Sequence, residues 1–397
     1  MPFPINALVD SVLSPPIGEA WSWVGGRDFP TNRPLLDVCQ AVPGYPPDES
    51  LARHIAERAL KPETARYTDI PGILPLREAL AGDIRAVYGT EHVGQQNVLA
   101  TAGCNQAFYM TMIALARTGD EVILPLPFYF NHQMSLAGLG IRVVPMPCDA
   151  DAGGVPDPAV AATLIGPLTR AIVLCTPNNP SGAVYPPAVL ERFYELCKAR
   201  GIALVMDETY RDFLAPGERP HEIFRHADWS DTLVHLYSFS KVYSLTGYRI
   251  GAAVCGPRLR EAVAKVADCV QICPPRIAQD AALFGIQNLD AWRKGKARLM
   301  AERAAALRRV FATPGLAYKL LSCGAYFAYV RHPFAGQSSR DVARRLATEN
   351  NLLCLPGSFF GPGQEDYLRF AFANLDAERM PEIAQRLLDS QEAAAAA

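Results

Sequence analysis

The stretches IALVMDETY (202–210) and TLVHLYSFSKVYSLTGYRIG (232–251) decide how this chain is read. Each opens on a run that is apolar at nearly every position, and each run ends abruptly on small or charged polar residues. A strand apolar on successive residues is buried on both faces, as in a parallel sheet covered by helices on both sides. Similar runs occur at VLAT (98–101), EVILPLP (121–127), IRVVPMP (141–147), RAIVLCT (170–176) and IGAAVC (250–255). Helical patterns such as NQAFYMTMIALART (105–118) and PAVLERFYELCKARG (187–201) separate most of them. The alternation predicts an α/β fold, a mostly parallel sheet sandwiched by helices.

Working outward, residues 1–48 are rich in Pro and Gly, with WSWVGG and VPGYPP, and are expected to form an arm with little regular structure. Helices are expected over 49–61 and 73–88. Beyond the sheet, 290–313 reads as one long amphipathic helix. A strand (324–331), a helix (338–350), strands near 352–355 and 366–372 and a helix over 376–392 follow, with EAAAAA as a frayed tail. This order predicts a smaller α+β domain. The expected division is 1–48 as arm and part of the small domain, 49–288 as the large domain and 289–397 as the small C-terminal domain.

With 397 residues, half of them hydrophobic and 20% charged, wholesale disorder is excluded. A net charge of −2 without a long basic run speaks against a nucleic-acid partner. Ten Cys without a CxxC pair or a Cys/His cluster predict no metal site and a reducing cytoplasm. The opening MPFPINALVDSVLSPP has neither the basic start nor the apolar core of a signal peptide, and no run is long enough to span a bilayer. The expectation is a soluble cytoplasmic protein. Only seven of the 38 basic residues are Lys, so a Lys kept within an apolar stretch, such as Lys241, invites inspection.

Open α/β sheets bind ligands at the carboxyl ends of their strands. VLAT leads into AGCNQA, a small-residue turn opening a helix, where free N–H groups suit an anion. RAIVLCT leads into PNNPSG, IALVMD ends on Asp207 followed by Glu208, Thr209 and Tyr210, and TLVHLYS leads to Ser238, Ser240, Lys241 and Arg249. A GxGxxG fingerprint is absent. An anion turn, hydroxyls, an Arg, a carboxylate, a Tyr and a Lys together fit pyridoxal 5′-phosphate. Its phosphate needs N–H groups, hydroxyls and a guanidinium fork; its aldehyde needs a Lys to form a Schiff base; its pyridine nitrogen needs a carboxylate.

The string SFSK, seven residues and then Arg, with PNNPSG and DETY upstream, closely resembles the fold-type I aminotransferases of the class I/II family, over about residues 30–392. The resemblance implies a pyridoxal-phosphate-dependent transferase fold. It implies a ping-pong transfer of an α-amino group between an L-amino acid and a 2-oxo acid, not strictly aspartate-specific. It makes Lys241 the cofactor-bearing lysine and proton shuttle, and Asp207 the partner of the ring nitrogen. Tyr210 and Asn179 become ligands of the ring 3′-oxygen. Gly103, Cys104, Asn105, Ser238, Ser240 and Arg249 become phosphate ligands, Tyr129 the stacking ring and His132 the support of Asp207. Arg369, in LRFAFAN, is implied to grip the substrate carboxylate, with Asn179 and Ala41 beside it. Tyr67 is implied to reach the phosphate of a neighbouring subunit in a homodimer. Asp268 falls near the place where aspartate-type members supply an extra Arg, and Trp21 and Trp23 sit in an arm able to cover the pocket. Aromatic, aliphatic, sulfur-containing and basic amino acids all stay open as substrates. A C–S or β-lyase or a cyclising biosynthetic synthase on the same fold is the alternative chemistry; a non-catalytic ligand sensor would ordinarily carry a fused DNA-binding domain.

Overall fold

The computed structural model describes residues 3–215 and 217–395. Its centre is a seven-stranded sheet in the spatial order Val98–Thr101, Gly251–Val254, Leu233–Ser238, Ala203–Asp207, Thr169–Cys175, Glu121–Pro125, Arg142–Met146. The last five of these pair in parallel. Gly251–Val254 runs antiparallel to both its neighbours, so Val98–Thr101 points the same way as the other five. The chain is thus α/β, with a mostly parallel sheet.

The apolar runs explain why the sheet is buried on both sides. Leu204 and Met206 join one core with Ile172, Leu174 and the helix Leu74–Tyr88, while Val205 joins another with Val173, Phe108 and Met112. The two-residue side-chain period sends neighbours to opposite faces, and each face meets a helix layer.

A second, four-stranded antiparallel sheet has the order Leu355–Pro356, Tyr367–Ala371, Phe327–Arg331, Lys319–Gly324. It packs with the helices Asp290–Val310, Ser339–Glu349 and Met380–Ala395 around Leu307, Val342, Phe370 and Leu387. A short parallel ladder pairs Leu36 and Asp37 with Leu352 and Leu353.

Three expectations need correction. The arm contains the helices Ala7–Asp10 and Pro16–Ser22: Asn6 caps the first by accepting from Leu8 N at 3.0 Å, and Pro16 opens the second, where its missing N–H costs nothing. The expected strand 324–331 is two strands, because Ala325 adopts a left-handed φ of 46° and turns the chain between Gly324 and Phe327. The first of these, Lys319–Gly324, escaped notice because its residues are only half-buried and end on Ser, Cys and Gly. The alanine tail continues the last helix through Ala395, as alanine's helix propensity favours; residues 396–397 lie outside the described residues.

The loop after Thr169–Cys175 meets the second sheet through backbone at Gly182, where φ is +73° and a Cβ would lie 2.4 Å from the carbonyl oxygen of Phe327 and 2.6 Å from the amide nitrogen of Gly324. Ser322 Oγ donates to the Ser181 carbonyl beside it at 2.7 Å. Gly182→Ala combines left-handed strain with a backbone clash, so it is expected to cost about 2 kcal/mol or more, read as a lowered urea midpoint.

Candidate active site

At the carboxyl edge of the sheet lies a cavity of about 330 Å³. Twelve of the residues singled out from the sequence line it: Ala41, Cys104, Asn105, Tyr129, Asn179, Asp207, Tyr210, Ser238, Ser240, Lys241, Arg249 and Arg369. The parallel strands deliver Asp207, Ser238 and the segment after Cys175 to one edge. Arg249 arrives there for the opposite reason. It precedes an antiparallel strand, so it sits where that strand begins, and Gly251 pairs with both Thr101 and Ser238.

The helix Cys104–Leu115 starts at this edge with Gly103 as its cap, at φ +87°. A Cβ on Gly103 would lie 2.3 Å from Nη2 of Arg249, and one on Gly251 would lie 2.7 Å from the Cys104 amide nitrogen. Both glycines therefore keep a cradle open between a helix N-terminus and a guanidinium, an arrangement suited to a phosphate. Arg249 itself is held at a left-handed φ of 54°, with Nη1 donating to the Thr246 carbonyl at 2.9 Å. Ser238 Oγ accepts from the Ser240 amide at 3.2 Å and caps the short turn carrying Lys241.

Lys241 Nζ donates to the Ala41 carbonyl at 2.5 Å. Desolvation, followed by the charges of Arg249 and Arg369, lowers its pKa from 10.5 to about 8. Asp207 lines the same cavity. Its Oδ2 meets His132 Nε2 at 3.1 Å, and its Oδ1 accepts from Thr209 N at 3.1 Å, Thr209 Oγ1 at 2.7 Å and the Cys104 thiol at 3.6 Å. Burial pushes the Asp207 pKa up, but the bond and charge of His132 and the two bonds from Thr209 outweigh it, and the value is lowered. The Cys104 side chain thus faces Asp207, leaving its backbone to the helix start. His132 is clamped between Phe108 and Tyr129, at 4.2 and 5.2 Å between ring centroids. Burial raises the Tyr129 hydroxyl to about 12 and moves Tyr210 well up.

Arg369 is 2% exposed, flanked by the rings of Phe327 and Phe360 at 5.2 and 5.1 Å. Its Nη1 donates to Asn179 Oδ1 at 3.1 Å, its Nη2 to the Cys39 carbonyl, and its Nε has no partner. Burial lowers its pKa. The Cys39 amide donates in turn to Asp37 Oδ1 at 2.8 Å, and Asn374 Nδ2 holds Asp37 Oδ2 at 3.1 Å.

Tyr67 is the one predicted site residue that the chain does not gather. It is 79% exposed, on a surface shared with Cys273, Pro274 and Pro275. Asp268 is exposed as well. Residues not singled out also line the cavity, among them Ile17, Gln40, Val42, Phe130, Asn131, Cys175, Thr209 and Thr246. Thr209 belongs to the DETY string, Gln40 and Val42 flank Ala41, and Phe130 and Asn131 follow Tyr129; Ile17, on the helix Pro16–Ser22, has no motif to mark it.

Behind Asp207, on the other face of the strand, Glu208 is fully buried among Tyr88, His221 and His235. Its Oε2 accepts from Tyr88 at 2.5 Å and meets the two imidazoles at 3.3 and 2.9 Å.

With this geometry in hand, the comparisons are direct. Residues 33–387 match the family of aminotransferases of class I and II, and the chain belongs to that family. It is an aminotransferase, of a class whose members use pyridoxal phosphate. It is 30% identical to the arginine–pyruvate transaminase of Pseudomonas aeruginosa over 370 residues, 92% of this chain and 88% of that protein. It is 32% identical to the aspartate/prephenate aminotransferase of Thermus thermophilus over 374 residues, 92% and 94% of the two chains. The structure of Thermus thermophilus aspartate aminotransferase with maleate superposes with a TM-score of 0.88 at 26% identity, covering 98% of this chain and all of that one.

Asp207 and Glu208 both titrate below the usual carboxylate range, Glu208 because burial, which raises it, is outweighed by the imidazoles of His221 and His235. Their stabilising contribution is therefore complete above about pH 4.5 and is lost as pH falls through the lowered folded-state values. Glu208→Gln is expected to cost about 3 kcal/mol at neutral pH and to flatten the loss of stability on acidification, read from urea midpoints along a pH series.

Proposed function

We propose that this aminotransferase holds pyridoxal phosphate in the cavity at the sheet edge and exchanges an α-amino group between an L-amino acid and a 2-oxo acid by a ping-pong cycle. The observation that carries the reading is a buried amine, Lys241, sharing its cavity with two guanidinium groups and a carboxylate kept ionised. The residues fit the group. The glycine-lined cradle at Gly103 and Gly251 suits its phosphate, with Asn105, Ser238, Ser240 and Arg249 around it. Asp207, held by His132 and Thr209, suits the ring nitrogen, Tyr129 the ring face, and Tyr210 with Asn179 the ring oxygen.

When bound, the cofactor supplies an aldehyde that captures amines and a pyridinium ring that accepts the electron pair left at the substrate Cα. The chain does the rest. Asp207 keeps a negative charge beneath the ring nitrogen. Arg369 would bind the substrate carboxylate through a fork aligned by Asn179 and the Cys39 carbonyl. Lys241, with its lowered pKa, takes the Cα proton onto Nζ and returns it within the same cleft. Tyr129, Phe130 and the 40–42 segment limit water around the reacting carbon.

The relatives' names, spanning arginine–pyruvate and aspartate/prephenate exchange, support a site that is not strictly aspartate-specific. We also take 49–288 as the cofactor-binding domain and 289–397, joined by 1–48 through the Leu36–Asp37 ladder, as the small domain. A homodimer is supported by the apolar surface at Leu60, Tyr67, Val270 and Ile272, where a second copy would cover Tyr67 and bring it to a partner's site. Ten free thiols support a reducing, cytoplasmic setting, and no helix among the described residues is long and apolar enough to cross a membrane.

Two outcomes test the reading. Cofactor added to the apoprotein should attach covalently at a rate that rises with pH and levels above about 8, where the Lys241 amine is unprotonated; Lys241→Ala should show no such absorbance change. Arg369→Ala should lower kcat/KM for amino acids by roughly a hundredfold or more, since a desolvated charge-assisted pair is lost.

A further inference from the structure

The two carboxylate oxygens of Asp207 stand in different surroundings. Oδ1 accepts from the Thr209 amide at 3.1 Å, the Thr209 hydroxyl at 2.7 Å and the Cys104 thiol at 3.6 Å. Among the described residues Oδ2 meets His132 Nε2 alone, at 3.1 Å. An ionised carboxylate only accepts, through about two sites on each oxygen, so His132 Nε2 donates, Oδ1 is saturated and Oδ2 keeps one site. All four residues are buried, and Asp207, Thr209 and Cys104 line the cavity. The amide bond to Oδ1 is the turn an Asp forms with the second residue after it, which any residue but Pro allows; the second bond requires a hydroxyl at that place. Cys104 comes from elsewhere, the start of the helix Cys104–Leu115, so one residue offers its amide to the cradle at Gly251 and its thiol to Asp207. Burial and the Asp207 charge push that thiol well above its ordinary range, and it stays a donor.

Resting on the cofactor reading above, we propose that Thr209 and Cys104 are positioning residues for Asp207: their donors occupy Oδ1, leave Oδ2 to accept from the ring nitrogen, and hold the shared proton on that nitrogen. The proton between the two groups can sit on the nitrogen, beside a carboxylate, or on Oδ2, beside a neutral ring. Burial of Asp207 favours the second arrangement, because it penalises the charged oxygen. Hydrogen bonds to the carboxylate favour the first, because they stabilise the charge and lower its affinity for the proton. Only the protonated ring is a strong acceptor for the electron pair left at the substrate Cα. The hydroxyl of Thr209, at 2.7 Å, is the stronger of the two side-chain donors, and the thiol of Cys104 is a weak one.

The test reads the ring nitrogen itself, by the nitrogen NMR resonance of the holoenzyme reconstituted with pyridoxal phosphate isotopically labelled at that atom. It is paired with kcat and KM for the amino acid the enzyme turns over fastest. Thr209→Val keeps the side-chain shape and the backbone donor but removes the hydroxyl. It is expected to move the resonance from the protonated toward the unprotonated position and to lower kcat about tenfold, with KM changed less than about twofold. Thr209→Ser, which keeps the hydroxyl, is expected to hold both near their original values. Cys104→Ala is expected to act in the same direction with a loss of about threefold, and Cys104→Ser to recover it. Should Thr209→Val fail to fold, the Cys104 pair decides alone. A resonance left in place by the Val and Ala substitutions, or a loss that the Ser substitutions share equally, would overturn the inference and leave the aminotransferase reading standing. An unsubstituted protein that does not attach the cofactor at Lys241, or attaches it and transfers no amino group, would sink the reading itself and the inference with it.

Discussion

A primary amine held out of water beside two guanidinium groups is an unfavourable thing to build, and the rest of this structure is arranged around it. Lys241 shares its cavity with Arg249 and Arg369, and desolvation together with those charges brings its pKa to about 8. In the proposed function the balancing anions would be the phosphate, which suits Arg249, and the substrate carboxylate, which suits Arg369. The cavity is therefore electrostatically poised for two anions at opposite ends and an aldehyde between them.

The sheet makes this placement possible through one irregularity. Five parallel strands and Val98–Thr101 send their carboxyl ends to one edge, where the phosphate cradle lies. Reversing Gly251–Val254 lets Arg249 approach from the other direction, beside Thr101 and Ser238. The approach is so close that Gly103 and Gly251 have no room for a Cβ, and Arg249 takes a left-handed backbone conformation.

A second charged layer stiffens the strand from behind. Asp207 and Glu208 are consecutive, so the pleat turns one toward the cavity and the other into the opposite core. There Glu208 is locked by Tyr88, His221 and His235, while nearby Arg211 is buried between Asp83 and the rings of Tyr88 and Tyr237. Arg293, on the helix Asp290–Val310, bridges Asp83 and Asp212 at 2.9 and 3.2 Å and ties that helix to the large sheet. Asp207 thus rests on a buried charged platform, in which Glu208 Oε1, His235 Nδ1 and the Nε and Nη1 of Arg211 have no hydrogen-bond partner.

The strands and helices of the large sheet were legible in the sequence because double-sided burial leaves unbroken apolar runs, and because turn residues punctuate their ends. The gathering of Asp207, Ser238 and Lys241 at one cavity was legible for the same reason: they lie at or just after strand ends, which the topology brings to one edge. The hairpin at Ala325 and the short arm helices were not, since half-buried edges and brief capped turns leave no periodicity to read. Nor was the meeting of Ile17 with the 40–42 segment, Phe130 and Asn131, which come from separate segments with no shared pattern. Local sequence thus determined the chemistry, because a Schiff-base lysine, a ring carboxylate and a guanidinium fork each demand a particular side chain. Tertiary structure alone decided which segments meet there, because Ile17, the 40–42 segment and Arg369 lie far from Lys241 in sequence and only packing brings them to the same cavity.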